Sequence, residues 1–425
     1  NVAPNGKRRA MTWHATFPGG LNAKGALTSG AGLPVANFNS AATGLTLARK
    51  QTAYDSVWGD CDSLYMLDMW QLRHFNLENS RILEGCTSYN LQYKVAAAET
   101  GVKRVLLTAS QASGFIVGST VSVGDKAGNS SADRYNTWMR DIADKVKVKS
   151  IETVTVGGTD YSALNLDVAD SFDVPETAYI SSMPWHSGAT EALPGHSDGA
   201  PGSLTNGKYP CRWAGVEMLN GAYVIGLDPL WNVTTVDGGV TYTAMACRDS
   251  EKEASSVTAN HVKVAEKTFT SVNAWNYELS MQNDSTESLL PDKTGGGETV
   301  GMKSAFYVGG SAGVRCPWRY GNLNNAGIAG AACANGNNSP ANSNWNGVPR
   351  PTEILRHSPK LCRIALCYPC RKLKSCETDT APGFGRGYAL RAHGGASSRT
   401  PRPCAKGHGN RKPLHISKYF YETKI

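Results

Sequence analysis

The chain has 425 residues and little charge: Asp, Glu, Lys and Arg together make up 18%, against the ~25% usual for globular proteins. It has no run approaching ~18 consecutive apolar residues, so no membrane insertion is expected. It also lacks tight cysteine spacing over its first 346 residues. Cys61, Cys86, Cys211, Cys247, Cys316 and Cys333 are scattered there, the pattern of free thiols in a reducing compartment. Positive charge is scarce in the same stretch, which holds 27 Lys and Arg against 31 Asp and Glu. The formal net charge of +8 therefore comes from the last 79 residues, with 16 Lys and Arg against 4 Asp and Glu. A nucleic-acid-binding role is excluded for residues 1–346, because phosphate binding needs cations clustered on a folded surface. The first residues, Asn1-Val2-Ala3-Pro4, include neither an initiator Met nor an apolar signal core, as expected of a fragment or of a chain that starts upstream.

What is present is enough apolar residue, 40%, for a large core, and a length that allows about three domains. Residues 1–58 are rich in Gly, Ala, Asn and Ser and read as an irregular arm, serving assembly or simply a frayed terminus. Residues 59–100 are a helical segment: Leu64, Leu67, Trp70, Phe75, Leu77, Ile82 and Leu83 recur near helical spacing. The helix is expected over Asp62–Glu84, with Asp60 or Asp62 as cap and Gly85 as stop. His74 on it reads as a structural residue. Residues 101–183 read as a small β-barrel or sandwich module. Its expected strands are 103–108, 115–118, 120–125, 146–156 and 163–168, with a short helix at 132–143 and a hairpin at Gly157-Gly158.

Loops dominate from Pro184 onward, with strands expected at 223–227 and 240–245. His186, His196 and Asp198 match no metal-ligand spacing, and their Ser-Gly and Ser-Asp-Gly neighbours are ordinary turn chemistry. Gly295-Gly296-Gly297 is no phosphate loop, since no Lys-Ser/Thr follows and Glu298 would repel phosphate. No cofactor and no metal are expected; Ca²⁺ and the tail's zinc are left open.

Residues 313–350 differ from the rest. Between Asn322 and Asn346, 9 of 25 residues are Asn, with Trp318, Tyr320 and Trp345 at or near the ends. Composition alone would allow a low-complexity loop. Amides, rigid aromatics and Gly are also the palette of adaptable recognition surfaces. The stretch Arg315-Cys316-Pro317-Trp318-Arg319-Tyr320-Gly321-Asn322-Leu323-Asn324-Asn325, through Asn344-Trp345-Asn346-Gly347, resembles the variable region of phage and prophage proteins diversified by retroelements. The likeness extends to Glu84–Asn90, Val95–Arg104, Val117–Asp125, Ser182–Gly188 and Gly207–Glu217, covering roughly residues 60–350.

That resemblance implies a C-type-lectin-like fold, related to formylglycine-generating enzymes, over residues 184–350. The whole is then a β-rich α+β protein: a small β module placed before the lectin-like domain, and a disordered tail. It further implies a virion protein of the phage tail or surface, made in the bacterial cytoplasm. The expected partners are a host cell-surface or other protein or glycan ligand and other virion proteins, with a homo-oligomer, for instance a trimer, supplying avidity. The implied ligand-binding residues are Trp318, Arg319, Tyr320, Asn322, Asn324, Asn325, Asn335, Asn337, Asn338, Asn342, Asn344 and Asn346. Since Asn codons are adenine-rich, the segment is expected to lie close to its template. A structural or decoration role without ligand, and a formylglycine-generating-type oxidase, are the competing readings. The second needs a closely spaced Cys pair, which Cys316 and Cys333 do not form.

Two departures stand out. Prolines 349 and 351 sit where a closing strand needs ladder donors, so that strand is expected shortened or lost. Residues 351–425 form a basic tail. Its Cys362, Cys367, Cys370 and Cys376 include one C-x-x-C but not the second that a zinc ribbon wants. Basic character allows nucleic-acid binding there, and the preferred expectation is disorder or read-through translation.

Overall fold

The computed structural model describes residues 13–53, 55–79, 84–192, 205–283 and 285–353. Ile82, Leu83, His196, Asp198 and the tail cysteines lie outside them. Within them the chain is β-rich in the α+β class.

Period-two alternation builds the first large sheet. Its order is Gln92–Lys94, Ala178–Met183, Thr120–Asp125, Ala143–Val156, Thr159–Leu166 and Arg104–Leu107, all neighbours antiparallel. Gly157 and Gly158, both at positive φ, turn the hairpin between the two longest strands, as their sequence predicts. A bridge from Ala97 to Leu106 ties one sheet edge to the other and closes the sheet on itself. Val105, Leu107, Val121, Val123, Leu164 and Ile180 fill its interior. The sheet thus begins ahead of residue 101, within the stretch expected to be helical. Two other expectations change. Residues 115–118 are a turn, held by Ile116 N–H on the Tyr89 hydroxyl (3.0 Å). The helix expected at 132–143 is a single 3₁₀ turn, Thr137–Arg140.

Helix α1 spans Ala41–Ala48, capped by Ser40, whose Oγ accepts from Thr43 N–H. Helix α2, Asp60–His74, starts two residues earlier than its sequence suggests and stops ten earlier. Gly59 N–H donates to the Asp62 carboxylate at the start. Phe75 ends the helix in the left-handed region (φ 49°). The Asn76 side chain then accepts from Glu78 N–H, and the Trp70 indole donates to Glu78 O, so the chain folds back.

The second half is built on a seven-stranded sheet. Its order is Pro291–Thr294, Ala274–Met281, Ala305–Val308, Ala334–Asn335, Trp318–Arg319, Tyr223–Ile225 and Gly347–Pro349. Paired residues point to the same face, so two rows run across it. One is Asn276, Phe306, Ala334, Arg319 and Val224; the other is Trp275, Tyr307, Asn335, Trp318 and Ile225. The first face packs at one end on a four-stranded sheet, ordered His261–Phe269, Gly239–Cys247, Leu230–Val236 and Gly313–Arg315, through Trp231, Tyr242 and Phe269. At the other end it meets α2.

Residues 13–58 are not a free arm. Leu27, Ala41, Leu45 and Val57 pack against Tyr223, Ile225 and Trp318 on the second face. Trp13–His14 and Ser56–Val57 flank Pro351–Glu353 in a small sheet. The closing strand is short, as its prolines suggest, but not lost. Gly347–Pro349 pairs in parallel with Tyr223–Ile225 at the sheet's edge, and Pro351 opens its own strand, two places where a missing N–H is tolerated.

Candidate functional site

Residues 320–349 contain no Asp, Glu, Lys, Arg or His. Buried groups hold the segment at both ends. Arg319, 1% exposed, forks onto Asp60 at the start of α2: Nε to Oδ1 at 2.8 Å and Nη2 to Oδ2 at 2.7 Å. Further donations to Leu289 O and Ala332 O complete the guanidinium's contacts. Burial raises the Asp60 carboxyl against the lowering pull of Arg319. Tyr320 is fully enclosed, its hydroxyl on Ser63 Oγ (3.0 Å), which also takes the Trp58 indole N–H. Its φ of 77° places a bulky residue in the left-handed region, a strained turn held by these contacts. At the far end the Arg350 guanidinium lies 5.1 Å from the Trp58 ring and donates to Glu217 O. Burial lowers the Arg350 pKa to about 10. The Glu217 carboxylate, raised by burial, accepts from Gly188 N–H, Thr190 N–H and the Thr190 hydroxyl.

These facts correct part of the expected site. Trp318, Arg319 and Tyr320 are core, not contact surface: at 2%, 1% and 0% exposure their side chains have no free face to offer. Asn322 is buried as well; its Oδ1 accepts from Asn324 N–H (2.7 Å). The others divide by exposure. Asn324, Asn337 and Asn342 are exposed, whereas Asn325, Asn335, Asn338, Asn344 and Asn346 are half-buried.

The half-buried amides hold the loops in shape. Asn325 Oδ1 accepts from Asn322 N–H, Asn335 Oδ1 from Asn337 N–H, and Asn344 Oδ1 from Trp345 N–H, each at 2.7–3.0 Å. Asn325 and Asn335 also hydrogen-bond the buried Tyr223, whose hydroxyl burial pushes up. Asn342 Nδ2 reaches Asn338 Oδ1 at 3.4 Å. Leu323 and Trp345 share one apolar cluster with Cys86, Tyr89 and Trp185, so the two ends of the Asn run meet. Arg134 stacks on Trp345 at 4.0 Å. Pro340 O and Asn344 O accept from Ala42 and Phe38 N–H, which sets the loop along the start of α1. The Asn residues thus form one continuous region, on which Asn324 and Asn337 keep side chains with no hydrogen bond among the described residues.

Beside this region lies a part of the sheet's second face that the sequence reading did not single out. Trp275 and Tyr307 are half-buried, with rings 5.2 Å apart in a T-shaped pair, and Tyr307 sits in register with Asn335. Their shared signal is the absence of charge: residues 268–277 and 304–314 carry no Asp, Glu, Lys, Arg or His.

Other candidate chemistry is not assembled. Cys316 and Cys333 are buried free thiols; burial pushes Cys316 up to about 12 and raises Cys333 well above the ordinary thiol value. His186 contacts Lys145 O through Nε2 (2.7 Å), with a basicity lowered by burial. Among the described residues no group of three or more His, Cys, Asp or Glu could hold a metal ion. No described helix is long and apolar enough to cross a membrane. The chain matches no protein-family model, and no curated protein matches it.

Proposed function

We propose that the chain is a ligand-binding protein of a phage virion, of the tail or virion surface. In this reading residues 184–350 form a C-type-lectin-like domain whose Asn-rich segment is a diversifiable recognition surface. One observation carries it: a 30-residue segment without charge, 320–349, is clamped at its ends by the buried Arg319–Asp60 and Arg350–Glu217 contacts while Asn324, Asn337 and Asn342 stay exposed. A fixed frame with exposed amides, two of which (Asn324 and Asn337) have no side-chain hydrogen bond among the described residues, lets side chains change without unfolding the loop. Such contacts are individually weak. A homo-oligomer on the virion would raise avidity by ~10²–10⁴. The role is binding, with no catalytic step assigned to the chain.

The test uses the purified full chain and cells of the bacterial host. Combined N324A and N337A substitutions are expected to reduce cell binding at least tenfold with the thermal midpoint unchanged. Undiminished binding by this variant overturns the reading. The coding DNA gives a second check: a near-repeat of codons 313–350, differing at adenines, beside a reverse-transcriptase gene.

A further inference from the structure

We infer that the ligand is a neutral saccharide, and that the strip at Trp275 and Tyr307 is a subsite for it, contiguous with the Asn loops. The inference rests on the ligand-binding reading and names its ligand class.

Register comes first. Trp275, Tyr307 and Asn335 lie in one row on one face of the seven-stranded sheet. The same face is covered further along, where α1 and Leu27 pack over Trp318 and Ile225. At Trp275 and Tyr307 no described residue of α1 or its flanking strands joins the cluster, and both rings are half-buried. Neither the Trp275 indole N–H nor the Tyr307 hydroxyl has a hydrogen-bond partner among the described residues. Gly309 and Gly310, which follow Tyr307, run close beside Asn337 and Asn273 respectively. Gly310 N–H donates to Asn273 Oδ1 (3.0 Å), and a side chain on Gly309 would strike Asn337. The result is a pair of rings edged by amides.

Charge then selects the partner. The three segments that meet here, 268–277, 304–314 and 320–349, contain no Asp, Glu, Lys, Arg or His. Glu298 approaches the neighbouring Tyr277 hydroxyl at 3.3 Å, at the margin of the strip. The guanidinium of Arg315, which follows the second segment, is engaged by Ser311 O and Ala312 O, so a phosphate, a sulfated chain or a strongly charged protein would lose its hydration here for little counter-charge. An uncharged sugar fits: its C–H face lies on an indole or phenol ring, while its hydroxyls donate to and accept from amides, indole N–H and phenol. A protein partner would draw its affinity from large apolar or charged anchors, whereas the polar groups left without partners here, the Trp275 indole N–H and the Tyr307 hydroxyl, suit a ligand rich in hydroxyls.

The experiment is a titration of the full chain with neutral oligosaccharides: maltohexaose, cellohexaose, mannohexaose and chitotetraose. It is followed by intrinsic tryptophan fluorescence and by saturation-transfer NMR. At least one sugar is expected to bind, with ring C–H protons showing the strongest transfer. W275A should weaken that binding at least tenfold, W275F less, and Y307F two- to fivefold, with near-ultraviolet circular dichroism confirming the fold of each. No binding by any of the four sugars overturns the saccharide assignment. So does binding that W275A leaves unchanged. If the Asn variants still lose cell binding in either case, the ligand-binding reading stands without this subsite.

Discussion

Asn322 and Asn337 are the same residue type in the same run, yet the fold gives them different work. Asn322 is buried and its Oδ1 closes a turn on Asn324 N–H. Asn337 is exposed and its side chain has no hydrogen bond among the described residues. N322A is expected to cost about 1–2 kcal/mol, the loss of a buried hydrogen bond, whereas N324A and N337A should stay within ~0.5 kcal/mol. Urea denaturation of the three variants checks this. Arg319 carries a sharper version. Removing one partner of a buried ion pair leaves the other charged and enclosed, at about 3–5 kcal/mol. R319A and D60A should each lose that much, and a double R319M/D60L variant should recover part of it. Equal losses in the single and double variants would show that the hydrogen bonds of the pair are indispensable and that apolar packing cannot replace them. This pair also shows why part of the site was not legible in the sequence. An Arg between Trp and Tyr reads equally as a contact or an anchor, and the residue that decides, Asp60, lies 259 positions away.

At the level of elements, what alternation and turn chemistry encode was legible. The strand at 120–125, the long hairpin around Gly157-Gly158 and the strand near 240–245 follow from period two and glycine alone. The seven-stranded sheet was hidden because its strands are mostly two to four residues long, too short to show a period. The N-terminal stretch was misread for a related reason. Its Gly- and Asn-rich composition looks like an arm, but its few apolar residues close a core supplied by distant strands. Deleting residues 1–58 removes Leu27, Ala41, Leu45 and Val57 from around Tyr223, Ile225 and Trp318. The truncated chain is expected to lose its cooperative thermal transition and to bind a hydrophobic dye such as ANS. A cooperative melt without dye binding would restore the view of residues 13–58 as an appendage.

Across the whole molecule, buried carboxyls set a pH dependence opposite to that of surface ion pairs. Glu253 and Glu278 are enclosed, and burial pushes each pKa from an ordinary 4.5 up to about 7. Ser56 and Arg49 oppose the rise at Glu253, where Asp62 adds to it; Ser304 and Arg319 oppose it at Glu278. Asp228, beside Glu253, is raised by burial as well. A carboxyl whose folded pKa exceeds its unfolded value binds more protons in the native state. Its contribution to stability is full below the unfolded pKa and is lost as pH rises through the folded one. For these two groups the window runs from 4.5 to about 7. Each proton taken up on folding is worth roughly 1.4 kcal/mol per pH unit, so a loss of a few kcal/mol is expected across the window. E253Q and E278Q mimic the protonated side chains. They should match the parent at pH 5 and exceed it at pH 8, with a flatter dependence of the thermal midpoint on pH. Gln variants that track the parent across that range would mean that both carboxyls stay ionised in the fold. Their buried charges would then be balanced by Arg49 and Arg319, which would make Arg319 a partner to Glu278 as well as to Asp60.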